Sequence, residues 1–185
     1  MKEPKKVRLE DGTILYKGDV ILGDNVIFED NIKVEGSIKL GDNASCEEIT
    51  ATGDIIIGKD CETSDLNSDE SITLDEYADC GDLSAAKDII IGDYSSICIV
   101  ESEEGSIFIG DNVSASDLTT SKSILIGNDA EVSDLESGED VVIGDNFSGD
   151  ALDIIGDFEI GANAHFDSLK CHGTTTLGIG CIIRN

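Results

Sequence analysis

Short alternations of apolar and polar residues recur along the chain, and the recurrence has a fixed period. Glycines of an Ile-Gly-Asp-like signal stand at Gly23, Gly41, Gly58, Gly92, Gly110, Gly127, Gly144, Gly161 and Gly178, at gaps of 17, 18 or, once, 34 residues, and Asp75 fills the missing slot. Ten registers result, with single-residue insertions between Gly23 and Gly41 and between Gly92 and Gly110. Aligned on this slot, the residues one before it (Leu22, Leu40, Ile57, Ile91, Ile126) and three before it (Val20, Ile38, Ile55, Ile89, Ile124) are almost all aliphatic. Period-two alternation in β-branched residues predicts a strand with both columns on one face. Apolar or small residues follow three and five after the slot, as in Ala44 and Cys46 or Ala164 and Phe166. Another aliphatic column stands eight after it (Ile49, Leu66, Leu83, Val100, Leu118) and a small-residue column ten after it (Ala51, Ser68, Ala85, Ser102, Thr120). A second glycine column, including Gly18, Gly36, Gly53, Gly105, Gly156 and Gly173, marks a corner expected to adopt unusual φ.

Each register therefore predicts three short strands with turns between them and no helix. Stacked in parallel at about 4.8 Å, ten such laps make a rod of about 45 Å. The expected fold is an all-β, single-stranded, parallel, right-handed, three-sided β-helix, a solenoid of about ten 17-residue turns. Residues 1–16, with Leu9, Ile14 and Tyr16, read as a short N-terminal arm, and residues 17–185 as the solenoid domain.

The outward positions of the second and third strands are polar, whereas the outward column of the first strand reads Ile21, Lys39, Ile56, Thr73, Ile90, Phe108, Leu125, Val142, Glu159 and Thr176. Two before the slot, Ile56, Ile90, Phe108, Leu125 and Val142 point outward, and the last four form a stripe about 15 Å long. Such a stripe marks a lateral self-association or partner surface. The final register is apolar as well. Leu177, Ile179, Cys181, Ile182 and Ile183 stand where the last lap would expose unpaired backbone, and they read as an end-to-end contact.

Composition narrows the partners. Twelve basic against forty acidic residues give a net charge of −28, which repels nucleic-acid phosphates and anionic headgroups. The same charge opposes self-association, so salt is expected to strengthen assembly. The aliphatic runs are too short to span a bilayer, and the first residues lack a signal-peptide core. A cytoplasmic protein is expected. Lys2, Lys5, Lys6 and Arg8 form a basic arm that could touch a membrane surface or a neighbouring copy.

Gly-Asp-Ile-Ile-Ile-Gly at 53–58, Ser-Asp-Leu at 116–118 and 133–135, and Glu-Ile-Gly-Ala-Asn-Ala-His-Phe at 159–166 resemble the bactofilins, polymer-forming cytoskeletal proteins of bacteria and archaea. The resemblance covers the repeat from about Gly18 onward. It implies a β-helical core assembling end to end into nucleotide-free filaments with a scaffold role in cell shape. The chain departs from that family in its number of turns, its lack of proline-rich flanks and its acidity, which resembles proteins of salt-rich cytoplasm such as those of some archaea.

Other chemistry is weakly signalled. Ile-Gly-Asp-Asn at 109–112 and 143–146 also resembles the left-handed β-helix of hexapeptide acyltransferases and related carbonic anhydrases, but a 17-residue lap breaks the hexad. An enzyme of that trimeric kind would use His165 in a cleft between subunits, whereas an anhydrase-type metal site needs three histidines and the chain has His165 and His172. Cys46, Cys61, Cys80, Cys98, Cys171 and Cys181 contain no Cys-x-x-Cys pair, and reduced thiols are expected, with Cys98 facing out. Acidic ladders such as Asp24, Asp42, Asp93, Asp111 and Asp145 read as corner residues that bond local backbone. No catalytic residue, metal or cofactor is expected. The expected partner is a second copy, or a scaffold or membrane-associated protein that takes the stripe.

Overall fold

The computed structural model describes residues 5–184. It is all-β, with no helix among the described residues, so none there is long and apolar enough to cross a membrane. The strands wrap into a solenoid of about ten coils, each lying on the coil about 17 residues before it. First runs of successive coils build one ten-stranded parallel sheet, from Val20–Ile21 to Thr175–Leu177. Second and third runs build a sixteen-stranded sheet. Columns stack as the period requires: Phe108 lies between Ile90 and Leu125, and Leu118 between Val100 and Leu135.

The interior is aliphatic because every run turns its alternate residues inward. Ile55, Ile72, Ile89, Ile107, Ile124 and Val141 fill one column, and Ile49, Leu66, Leu83, Val100, Leu118 and Leu135 another, all buried. Towards the C-terminus Phe147, Phe158 and Phe166 take over, the last two meeting edge to face at 6.2 Å. Gly149 makes room there, since a Cβ at that position would lie 2.8 Å from the Phe147 ring. Buried hydroxyls clip the corner after the third run. Ser102 donates to the Lys87 carbonyl at 2.8 Å and accepts from Gly105 N–H at 3.1 Å. Thr120 repeats this with the Gly105 carbonyl and Lys122 N–H, at 2.5 and 3.0 Å.

Corners are joined to one another by carboxylates. At the corner after the first run, Asp24 Oδ1 accepts from Asp42 N–H at 3.0 Å and Asp42 Oδ1 from Lys59 N–H at 3.0 Å. Asp93, Asp111, Asn128 and Asp145 continue the series to Asp111, Asn128, Asp145 and Ala162, at 2.6–2.9 Å. Each acceptor serves the N–H one coil on, rather than its own turn. The glycine column gives these oxygens their space: a Cβ at Gly127 would stand 2.3 Å from Asp111 Oδ1, and at Gly161 2.2 Å from Asp145 Oδ1. Where Lys59 replaces the acceptor, the next coil carries Asp75 in the glycine slot, and its own Oδ1 accepts from Glu76 N–H at 2.9 Å. The corner before the first run repeats the device, with Asp140 Oδ1 taking Asp157 N–H at 2.8 Å beside Gly156.

Three expectations are corrected. Glycine before the first run was expected to supply unusual φ, but positive φ occurs there only at Gly18 and Gly36; Gly53, Gly156 and Gly173 are required by close approach instead. Left-handed backbone sits two residues after the glycine slot, in nine non-glycine residues from Asn25 to Asn163 and in Gly180. Second, separate second and third strands hold only in the early coils. From Ser96–Ser102 to His165–Cys171 they fuse into seven-residue strands, bending at residues such as Ser116 and Ser133 that the pairing skips. Two successive outward residues at that point let the chain turn while staying extended. Third, the N-terminal arm belongs to the solenoid in part. Ile14–Lys17 stacks in register on Ile32–Glu35, with Ile14 and Tyr16 buried, and Lys5–Arg8 folds back antiparallel to cover its edge. Lys2 of the basic arm lies outside the described residues.

The interlock predicts coupled stability effects. Asp111→Ala removes one exposed-site acceptor and is expected to lower stability by about 1 kcal/mol; Gly127→Ala drives a methyl against the carboxylate and the Gly110 backbone and is expected to lose about 1–3 kcal/mol. In urea unfolding the double variant is expected to lose less than the two single losses added together. Strict additivity would show that glycine does not house the carboxylate.

Candidate functional site

The sheet of first runs presents the apolar column expected from the pattern. Ile90, Phe108, Leu125 and Val142 occupy consecutive strands in register and are 45, 38, 47 and 42 % exposed. Ile56 joins them across Thr73, and Lys39 and Glu159 bound the column. The glycine column and the corner carboxylates and amides it houses run along one flank. Four consecutive branched or aromatic side chains thus stand exposed on a chain of net charge −28.

At the end of the stack, Thr175–Leu177 and Ile182–Ile183 are edge strands. Leu177, Ile179 and Ile182 are exposed, Ile179 to 89 %. Cys181 and Ile183 are half-buried against the coil below. Among the described residues Val20–Ile21 and Ile27–Phe28 pair with no earlier strand, while the third run is covered by Lys5–Arg8. Stripe and end are separate surfaces, and the fold does not bring them together.

Two further features were not read from the sequence. A groove of about 740 Å³ runs along the outer face of the third runs, walled by Ile99, Asp117 and Asp134 on one side and Glu101, Glu136 and Asp153 on the other. Its signal was the pair of outward columns flanking the buried leucines. The other feature is a stacked, exposed pair, Tyr77 and Tyr94, with ring centroids 5.0 Å apart and planes 8° from parallel. Both have left-handed backbone, with φ of 61° and 59°. The signal was legible as a column reading Asn, Asn, Asp, Tyr, Tyr, Asn, Asp, Asn, Asn, Gly from Asn25 to Gly180. Left-handed backbone costs a residue with a Cβ about 1–2 kcal/mol, least for Asn and Asp, and an aromatic stack contributes about 0.5–1.5 kcal/mol.

His165 and His172 are both exposed, His165 pairing across strands with Ser148 and Ile182. The six cysteines are free thiols, with Cys98 exposed as expected. Cys46 and Cys80 flank Thr63 in one inward column, and the Thr63 hydroxyl bonds Cys80 Sγ at 3.0 Å. Burial, aided by the neighbouring thiols, pushes Cys46 from 9.0 up to about 12. Burial likewise pushes Cys80 up to about 11, against the Thr63 hydrogen bond. Unfolded thiols ionise near 9.0, so this contribution to stability is complete below pH 9.0 and is lost as pH rises towards about 12. Alkylation at neutral pH is expected to label Cys98 quickly and to spare Cys46, Cys61 and Cys80 until the protein unfolds; mass spectrometry showing early labelling of Cys46 would refute the buried column. Comparison with protein families, curated proteins and solved structures finds no match to this chain.

Proposed function

We propose that this protein is a non-enzymatic structural scaffold that associates with copies of itself, end to end and along its apolar stripe, as its resemblance to bactofilins implies. The observation that carries the reading is the ordered column Ile90–Phe108–Leu125–Val142 on a stack whose first and last described strands are sheet edges. Open parallel edges offer backbone donors and acceptors to another chain's edge. Free thiols throughout suit a reducing cytoplasm.

Area limits the lateral contact. Four coils at about 4.8 Å and a three-residue run of about 10 Å enclose roughly 200 Å², well below the ~800 Å² per partner of a standard stable interface. The stripe alone is therefore too small to hold an assembly, and it acts together with end-to-end contact through Leu177, Ile179 and Ile182, where edge strands add backbone hydrogen bonds. Charge opposes both contacts.

Sedimentation velocity and negative-stain microscopy from low salt to about 1 M, where the screening length falls to about 3 Å, are expected to show rod length and mass rising with salt. Ile179→Lys with Ile182→Lys is expected to shorten rods to single copies, whereas Phe108→Lys with Leu125→Lys is expected to leave single rods that no longer bundle. A single-copy rod at every salt concentration would overturn the proposal.

A further inference from the structure

The tyrosine pair departs from the rule of its own column. At this corner the backbone makes the same bond to the next coil whatever the side chain: Tyr77 N–H donates to the Asp93 carbonyl and Tyr94 N–H to the Asp111 carbonyl, both at 2.9 Å, as Asn43 N–H does to Lys59 at 2.8 Å. The left-handed conformation is thus imposed by the fold, and asparagine suits it best. Asparagine also links the coils, Asn146 Nδ2 donating to Asp129 Oδ1 at 3.0 Å and Asn163 Nδ2 to Asn146 Oδ1 at 3.2 Å. Tyrosine in two consecutive coils forgoes that ladder and holds two rings half in water, 49 and 52 % exposed. Folding accounts for the stack only in part.

The surroundings of the rings select a ligand. Glu76 and Asp93 precede the two tyrosines, Asp60 occupies the same column one coil below, and Asp79 is the exposed residue two beyond Tyr77. Lys59 already lies in this cluster, its Nζ 2.9 Å from Glu76 Oε2. Near-parallel rings at 5.0 Å leave each tyrosine one outer face and its edges. A flat cation can stack on such a face while its N–H groups reach carboxylates beside it, a geometry that guanidinium meets and a compact ammonium does not. We propose that Tyr77 and Tyr94, with Asp60, Asp79 and Asp93, form a docking site for an arginine-bearing segment of a partner protein. The site lies around the corner from the apolar stripe and does not depend on self-assembly.

The chain has three tyrosines and no tryptophan, and Tyr16 is buried, so tyrosine fluorescence reports largely on this pair. A hexa-arginine peptide and a hexa-lysine peptide are titrated in about 0.3 M salt, which screens diffuse attraction to the acidic surface. The expected result is quenching by the arginine peptide with about fivefold tighter binding than the lysine peptide. Calorimetric titration of the Tyr77→Asn/Tyr94→Asn variant is expected to lose that preference, while its thermal unfolding midpoint is unchanged or raised. The proposal is overturned by equal binding of both peptides, by an arginine preference that persists in the variant, or by a variant whose midpoint falls by several degrees. Tighter binding of tetramethylammonium than of the arginine peptide would also overturn it, in favour of a small-molecule site.

Discussion

The solenoid depends on a bond between successive coils: a carboxylate at one corner accepts the N–H 17 or 18 residues on, and the glycine before that N–H leaves the oxygen room. Runs hydrogen-bond to runs above and below, and most corner N–H groups also reach a carbonyl of a neighbouring coil, but the N–H one residue after the glycine slot is met by a side chain instead. An Asp or Asn one residue after the glycine slot reaches up and accepts that N–H, and the glycine above leaves the volume its oxygen needs. Each corner is therefore completed by the coil before it. Stability of this kind is carried by neighbour contacts along one dimension, and part of the chain's acidity follows from it. Asp19, Asp24, Asp42, Asp93, Asp111, Asp140, Asp145 and Asp157 are acceptors in this frame.

That frame sets the terms for association. Stacked carboxylates repel along the rod, and basic residues offset them locally, Lys122 reaching Glu139 at 3.0 Å and Lys170 reaching Asp153 at 2.7 Å on the adjoining coil. These pairs are exposed and contribute little each, so most of the charge of −28 faces solvent. Two such rods meet favourably only where apolar area or backbone pairing exceeds the repulsion. The column through Phe108 and Leu125 offers apolar area of that kind, and the end strands offer backbone edges.

Periodicity made the coil length, the inward columns and the exposed column legible, because equivalent residues stack and each position must suit the same environment about ten times. Side-chain patterns say less about how a corner is closed. Asp111 was readable as a turn residue, but that its oxygen serves Asn128, a coil away, follows only once the corners are known to superpose. Likewise Gly53 and Gly156 were read through conformational freedom, the usual reason for glycine in a turn, whereas close approach of a neighbouring coil requires them. The hairpin of Lys5–Arg8 on Ile14–Lys17 escaped the repeat because antiparallel pairing has no period, although Ile14 and Tyr16 fit the third-run columns. The apolar stripe was visible; its modest area was not, since width depends on strand length.

The departures from the repeat are concentrated between Lys59 and Ser95. Lys59 breaks the acceptor series, Asp75 enters the glycine slot and supplies the missing acceptor from within its own turn, and Tyr77 and Tyr94 replace the asparagines. Ser95 replaces the apolar residue of its inward column, buried but bonded to Ala78 N–H at 3.1 Å and to the Gly92 carbonyl at 2.9 Å. Random wear of a repeat would leave such losses unrepaired and scattered. Here Asp75 and Ser95 supply hydrogen bonds from within their own turns, whereas at the tyrosines the substitute is one ring on another and both remain in water. A solenoid that repairs its backbone around a solvent-facing aromatic pair has kept its fold while giving up the regular surface, and local rules broken in this compensated way are what distinguish a site from a scaffold.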